Sequence, residues 1–277
     1  MSKPMHQVRV AAISKDLPGI ISIDVDGDLL DADGGRTAAP HSSRLEPRRC
    51  VDDHVKIVLP GPDGQAGADS PEASRPSGSG TSPLLRTYTR RRYDPATGAW
   101  GIDVFVFPHG GPGSSWAAGL AVGDVVTVRG PGGHWQLPAD PGTVLMVGDP
   151  VAQPAIANAL EALPQGARAI VLLEEGPHRY PLPERPGAEI QMVPSSPGGS
   201  ALVEAVRRVP TPAGPWWAFV HGQADMVRPL RRHLRVDRGL PKDHMNLSAY
   251  WISGRDAEAW RAMKSDFNRQ MIADSGD

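Results

Sequence analysis

The apolar patterning of this chain changes once, between Leu137 and Gly142, and that change constrains the fold more than any other feature. Before it, "QVRVAAIS", "GIISIDVDG", "DHVKIVLPG", "LLRTYTRRRYD", "WGIDVFVFPHG" and "GDVVTVRGPGG" are short β-branched or alternating runs bounded by Gly, Pro or Asp. Period-two alternation puts every second residue on one face, and turns at this spacing predict antiparallel strands closing into a small barrel. "DPATGAW" at 94–100 reads as a hairpin turn within it. After the change, the continuous apolar strands "GTVLMVGD", "ARAIVLLEE", "PWWAFVHG" and "HMNLSAYWIS" alternate with helical patterns. Those patterns are "PAIANALEAL", "GSALVEAVRRV" and "ADMVRPLRRHLRVDRG", the last closing on Gly239. That order predicts a parallel sheet covered on both faces. The expected architecture is a six-stranded antiparallel β-barrel over residues 1–138, then an α/β domain with a parallel sheet over 139–277.

Composition narrows what such a pair of domains does. Lys and Arg number 29 against 31 Asp and Glu, a net charge of −2 that argues against nucleic acid as a general partner. "RTYTRRR" is a local charge run without the interleaved aromatics of a nucleic-acid surface. The single cysteine, Cys50, excludes an internal disulfide and a thiolate zinc site. His221, His233 and His244 lie too far apart in sequence to argue for a metal, so none is expected. "MSKPMHQVRVAAISKD" has no apolar signal core, and no run approaches the ~18 apolar residues of a membrane span. The expectation is a soluble, cytoplasmic protein without a membrane partner. Residues 60–83 carry almost no apolar side chains and read as a mobile loop.

The chemistry turns on "FPHGGPGSSWAAG" at 107–119. Unpaired N–H groups at such a turn face an anion, either the alkoxide of a hydrolase or the pyrophosphate of a dinucleotide. A hydrolase also needs a separate G-x-S-x-G nucleophile elbow, and no serine here has Gly two residues before and two after. "RTYT" at 86–89 supplies what a flavin dinucleotide needs: the Arg86 guanidinium for phosphate, the Tyr88 ring for packing, and the Thr89 hydroxyl for a polar edge. Strand alternation makes Arg86 and Tyr88 neighbours on one face.

Together these residues resemble the siderophore-interacting proteins, FAD-containing ferric-siderophore reductases of the ferredoxin-reductase-like group. The likeness runs through "DDHVKI", "RTYTRRRYD", "GPGSSWA", "GDVVTVRGP", "VGDPVAQPAIANALEALP", "VHGQADMVRPLRRHLRVDRGL" and "AYWISG", in order. It implies FAD on the barrel, NAD(P)H on the C-terminal domain, and an iron(III) chelate as the electron acceptor. The flavin contacts it implies are Arg86, Tyr88, Thr89 and His109, with Gly111, Pro112, Gly113, Ser114, Ser115 and Trp116 as the pyrophosphate turn. The nicotinamide side it implies is Asp149, Gly222, Gln223 and Trp251, and the substrate side is Lys56, Arg228 and Ile252. No side chain is assigned as catalytic, because the flavin carries the chemistry.

Several positions leave the family pattern. Pro108 replaces an aliphatic residue, Pro150 and Val151 replace polar ones, and Gln223 replaces a carboxylate. Ala249 and Ile252 replace a glycine and a cation around Tyr250 and Trp251. Losing a cation points to a less charged substrate than an anionic ferric siderophore. Arg228, Arg231, Arg232 and Arg235 form one basic helix face, read either as a solvated face or as an anion site. His54 reads as structural, and Trp251 as core or as a ring-stacking surface. Three functions compete: an NAD(P)H-dependent reductase of iron(III) chelates, a diverged flavoprotein of small-molecule biosynthesis, and a non-catalytic binder of a chelate or metabolite.

Overall fold

A computed structural model of the protein describes residues 4–30, 44–46, 50–59, 84–107 and 110–277. The loop expected at 60–83 lies outside the described residues, as do Pro108 and His109. The chain divides into two compact units, Met1–His134 and Trp135–Asp277. Trp135 belongs to the second, where its ring stacks on Phe219 at 5.1 Å, so the division falls just ahead of the change in patterning.

The first unit is one antiparallel sheet of seven strands: β1 (Met5–Ser14), β2 (Ile20–Val25), β3 (His54–Leu59), β4 (Leu84–Thr89), β5 (Arg92–Tyr93), β6 (Trp100–Phe105) and β7 (Val125–Gly132). They are ordered β4-β3-β7-β1-β2-β6-β5. Alternate residues Val8, Val10, Ile23, Val55, Ile57, Ile102 and Val128 point inward and form its core. Removing each such side chain from water stabilises the fold by about 1.5–3 kcal/mol.

Two expectations need correction. The sheet has seven strands rather than six, and among the described residues no strand pair closes it. Both differences have one cause: "LLRTYTRRRYD" is two strands broken at Arg90 and Arg91. The Arg90 N–H bonds the Asp53 carbonyl at 3.0 Å, whereas the Arg91 N–H bonds the Gly101 carbonyl at 2.8 Å. The chain thus passes from one edge of the sheet to the other within one residue. Arg90 itself is fully buried, paired with Asp53 at 2.5 Å and bonded to the Glu46 carbonyl at 2.8 Å.

The second unit has a five-stranded parallel sheet: β8 (Thr143–Gly148), β9 (Arg168–Glu174), β10 (Ala188–Val193), β11 (Trp216–Gln223) and β12 (Met245–Trp251). Their order is β10-β9-β8-β11-β12. Leu145, Val147, Ala218 and Val220 face a core shared with α3 (Ser200–Arg208), α4 (Ala224–Arg232) and α5 (Ala257–Ala273). Val144 and Met146 alternate to the other face, and α2 (Gln153–Glu161) packs on β8 with Ile156 and Leu160 buried. Two elements escaped the sequence reading, β10 and α5. β10 is an edge strand exposed from Glu189 to Met192, so it lacks the apolar run that marks its neighbours. α5 buries only Trp260, Phe267 and Met271 in 17 residues, a thin stripe that begins at the Asp256 N-cap. The long helix expected to close on Gly239 ends instead at Arg232 and continues as a π-type turn over His233–Asp237.

Candidate functional site

In the first unit Arg86 and Tyr88 meet the N-terminal end of one helix. Helix α1 (Pro112–Gly119) begins with Pro112 in its first turn, after Gly111 at φ 147, a backbone angle that favours glycine. Among the described residues no side chain caps its N-terminus. The first intrahelical bond is Ser115 N–H to the Gly111 carbonyl at 2.9 Å, so the N–H groups ahead of it are free of helical partners. The helix is anchored by the Ser114 hydroxyl on the Phe105 carbonyl at 3.3 Å and by Trp116 and Ala117 against the sheet core.

Arg86 and Tyr88 lie against this turn, on the same side of β4, as alternation requires. A Cβ on Gly113 would sit 2.5 Å from the Tyr88 Oη and 3.7 Å from the Arg86 Cγ, so only glycine lets the helix approach. The rings of Tyr88 and Trp116 stack at 6.4 Å. Burial pushes the Tyr88 phenol up to about 12, partly offset by the Arg86 charge, so it remains an O–H donor at physiological pH. Thr89 is half-buried and pairs with His54 across the β3–β4 ladder. His109 is outside the described residues. The arrangement is a glycine-lined, positively polarised helix end beside a guanidinium and a phenol, which suits a pyrophosphate. The residues present therefore fit FAD.

In the second unit Asp149, Gly222, Gln223 and Trp251 are brought together at the C-terminal edge of the parallel sheet, where ligands of such sheets bind. Asp149 follows β8 and is buried, with Oδ1 accepting the Ala152 N–H at 3.1 Å and Oδ2 accepting the Trp251 indole N–H at 2.7 Å. Gly222, at φ 134, lies so close that a Cβ there would sit 2.6 Å from the Asp149 carboxyl carbon. Burial pushes the Asp149 carboxyl up to about 7; the charge of Glu174 adds to the rise, and the hydrogen bonds from Trp251 and Ala152 oppose it. Gln223 does internal work: its Oε1 caps α4 through the Met226 N–H at 3.1 Å, and its Nε2 reaches Asp225 at 2.7 Å.

Of the substrate-side residues, Lys56 belongs to the first unit and Arg228 and Ile252 to the second. Lys56 is exposed on β3, level with Thr87 and Arg129 on the neighbouring strands. Ile252 packs against the core of the second unit. Arg228 pairs with Asp274 at 2.7 Å, while Arg231 and Arg235 both pair with Asp277. Arg228, Arg231 and Arg235 thus carry their counter-charges with them while staying partly exposed, and Arg232, 59% exposed, lies 3.9 Å from Asp237. His54 is tied to the Asp52 carbonyl at 2.9 Å, with its ring directly over Gly132.

Sequence reasoning missed a buried polar group on β11 and β12. The Asn246 carbonyl accepts from His221 Nε2 at 2.5 Å, which leaves Nδ1 to accept the Tyr250 O–H at 2.6 Å. Strand alternation, which puts residues 246 and 250 on one face of β12, is the signal in the sequence that points to it.

With this geometry in hand, likeness to known proteins decides the family. Residues 40–152 match the family described as siderophore-interacting FAD-binding domain, and residues 141–254 the one described as siderophore-interacting protein. The ferric vibriobactin reductase ViuB of Vibrio cholerae is 32% identical over 186 residues, covering 64% of this chain and 68% of its own. The chain belongs to the siderophore-interacting protein family. The siderophore-interacting protein SipS of Aeromonas hydrophila shares 26% identity and superposes with a TM-score of 0.75, over 96% of this chain and 99% of its own. The ferredoxin reductase of carbazole 1,9a-dioxygenase shares 14% identity at a TM-score of 0.60, over 89% of this chain and 69% of its own, a likeness of fold. This siderophore-interacting protein thus carries an FAD-binding domain in a ferredoxin-reductase-like fold, and FAD is its cofactor. Among the described residues no helix is long and apolar enough to cross a membrane.

Proposed function

We propose that this siderophore-interacting protein is a reductase of iron(III) chelates that takes its electrons from NAD(P)H. The observation that carries the reading is the convergence of Arg86, Tyr88 and the uncapped α1 N-terminus on Gly113. The family likeness, including that to a ferric vibriobactin reductase, supports the acceptor class. Bound FAD supplies acceptance of a hydride and release of its electrons singly. Arg86 and the N–H groups of Gly113 and Ser114 hold the pyrophosphate by charge-assisted hydrogen bonds. Tyr88, a neutral donor braced by Trp116, would orient the cofactor, and Thr89 and His109 are proposed as further contacts to it. Asp149, Gly222, Gln223 and Trp251 receive the dinucleotide donor, and Lys56 adds a cation for the chelate.

The substrate is a ferric siderophore of low charge. Ile252 offers no cation and turns to the core, while Arg228 is neutralised by Asp274, so this chain presents less positive charge than an anionic chelate favours. Iron(II) binds hard-oxygen chelators less tightly than iron(III), and reduction therefore releases the metal.

The test is an anaerobic titration of FAD-loaded protein with NADPH and NADH, followed at the visible flavin absorbance. The expected result is stoichiometric bleaching by one or both donors, reversed by adding a ferric siderophore. An FAD that stays bound and oxidised in excess of both donors overturns the reading in favour of a flavoprotein of small-molecule biosynthesis. Protein that cannot be loaded with FAD favours a non-catalytic binder.

A further inference from the structure

Strand β10 ends the parallel sheet on one side, and among the described residues no strand pairs with its outer edge. The Gly187 carbonyl accepts the Ala169 N–H at 2.9 Å and the Val193 carbonyl the Glu175 N–H at 2.8 Å, so the odd-numbered residues bond inward to β9. The backbone groups of Ile190 and Met192 therefore point outward. Their side chains are left out as well. Ile190 is 45% and Met192 46% exposed, although both lie on the face of Val171 and Leu173, which are buried. Among the described residues no other strand exposes two large apolar side chains. Sheet edges are normally blunted by charge, proline or a covering segment, and a bare apolar edge is a template for another strand. On the opposite face Gln191 and Val193 form a groove with α3, lined there by Ala201, Glu204, Ala205 and Arg208. Those four recur at three- and four-residue spacing and so share one side of the helix.

We infer that this edge is a self-association surface, on which β10 of a second copy pairs antiparallel with β10 and joins the two sheets. A second copy is the occupant because the edge is self-complementary, as a two-fold contact requires. With the axis at Gln191, Ile190 stands opposite the partner's Met192, and Met192 opposite the partner's Ile190. Both residues face outward, so each such pair exchanges both of its backbone hydrogen bonds. The same register gathers the exposed apolar side chains of both copies on one face, where cross-strand pairs stabilise a sheet. Neighbouring registers do worse. An axis at Ile190 sets Met192 opposite the partner's Ala188, whose N–H is spent on the Arg185 carbonyl at 3.0 Å. An axis at Met192 sets Ile190 opposite the partner's Pro194, which has no N–H to give. The two-fold also lays α3 antiparallel to the partner's α3 along the groove. Ala201 and Ala205 leave room for that approach, and Glu204 faces the opposite charge of the partner's Arg208.

The experiment is sedimentation equilibrium of the full chain, loaded with FAD, from about 1 μM to about 1 mM. The expected result is a monomer–dimer equilibrium with a Kd of about 1–100 μM. Ile190→Pro removes an N–H that points away from β9, so the fold tolerates it while the pairing does not. That variant stays monomeric throughout, with a far-ultraviolet circular dichroism spectrum and FAD content like those of wild type. Ile190→Lys weakens the dimer by more than about tenfold, and it decides the question if the proline variant fails to fold. Glu204→Arg and Arg208→Glu each weaken it by about twofold to fivefold, and the two together restore it, which a purely structural role for either would not produce. Wild-type protein that is monomeric at every concentration overturns the inference and leaves the edge to an extended segment of another protein. A dimer that survives both Ile190 variants places the contact elsewhere and overturns it too. Growth beyond the dimer also overturns it, because a two-fold contact closes at two copies.

Discussion

The two candidate sites of this molecule handle their polar groups in opposite ways. At α1, no side chain caps the helix and glycine lines the approach, so backbone donors remain available to an outside anion. At the parallel-sheet edge, Asp149, Gln223 and Trp251 satisfy one another and nearby N–H groups, and what remains is an aromatic surface. An anion site works by leaving donors unpaired, since the ligand completes them. A ring site works by pairing everything else, since the ligand contributes area rather than hydrogen bonds.

The largest expected effect tests whether the first unit's open end relies on a rigid frame beneath it. Arg90→Met leaves Asp53 buried without its cation, which costs about 3–5 kcal/mol. Thermal unfolding by circular dichroism should show a clear loss of stability, together with loss of bound FAD. If flavin retention is unchanged, the frame and the anion end are independent.

Next comes a pH effect confined to the second unit. The Asp149 carboxyl stands near 7 when folded, against an ordinary value of 3.8. The folded state therefore holds more protons than the unfolded state between those values, and stability falls as pH rises through that window. The loss is on the order of 4 kcal/mol at most by pH 8. Asp149→Asn carries no such charge, so it should gain on wild type in melting temperature from pH 5 to pH 8. A constant difference across that range shows that Asp149 is ionised throughout.

Gly113→Ala sharpens the comparison from the other side. Its methyl group must displace the Tyr88 hydroxyl, costing about 1–3 kcal/mol, so FAD affinity should fall by about tenfold to a hundredfold. Fluorescence titration of apoprotein with FAD measures it, and ADP-ribose binding at the second unit should not change. The smallest effect is that of Arg228→Gln, which removes a half-exposed ion pair with Asp274 and should move stability by less than about 1 kcal/mol. Weaker NADPH binding in that variant, with NADH unaffected, would restore the anion-site reading of the helix face.

Much of the fold and the turn that opens α1 could be read from the sequence. Alternation marked the strands of the first unit, with β4 and β5 read as one, and the Gly-Pro-Gly turn marked α1, because both signals are local and need no partner to be recognised. β10 and α5 were invisible for the same reason in reverse: an exposed edge strand and a helix with a thin apolar stripe owe their form to the neighbours they lean on. Arg90 looked like one cation in a run of charges, yet it is the buried member that joins the two edges of the sheet.

The sequence by itself determined the two-part architecture, the family and the glycine turn that opens α1, since periodicity, glycine placement and motif order are properties of the chain. Tertiary structure alone decided which charged residues are available to a ligand. Arg228 meets Asp274 across 46 positions and Trp251 meets Asp149 across 102, and no local rule pairs residues so far apart. Charge and burial depend on what the folded chain brings alongside, and that is why arginines of a basic helix face meet acidic partners far along the chain and a conspicuous tryptophan is held by a buried carboxylate.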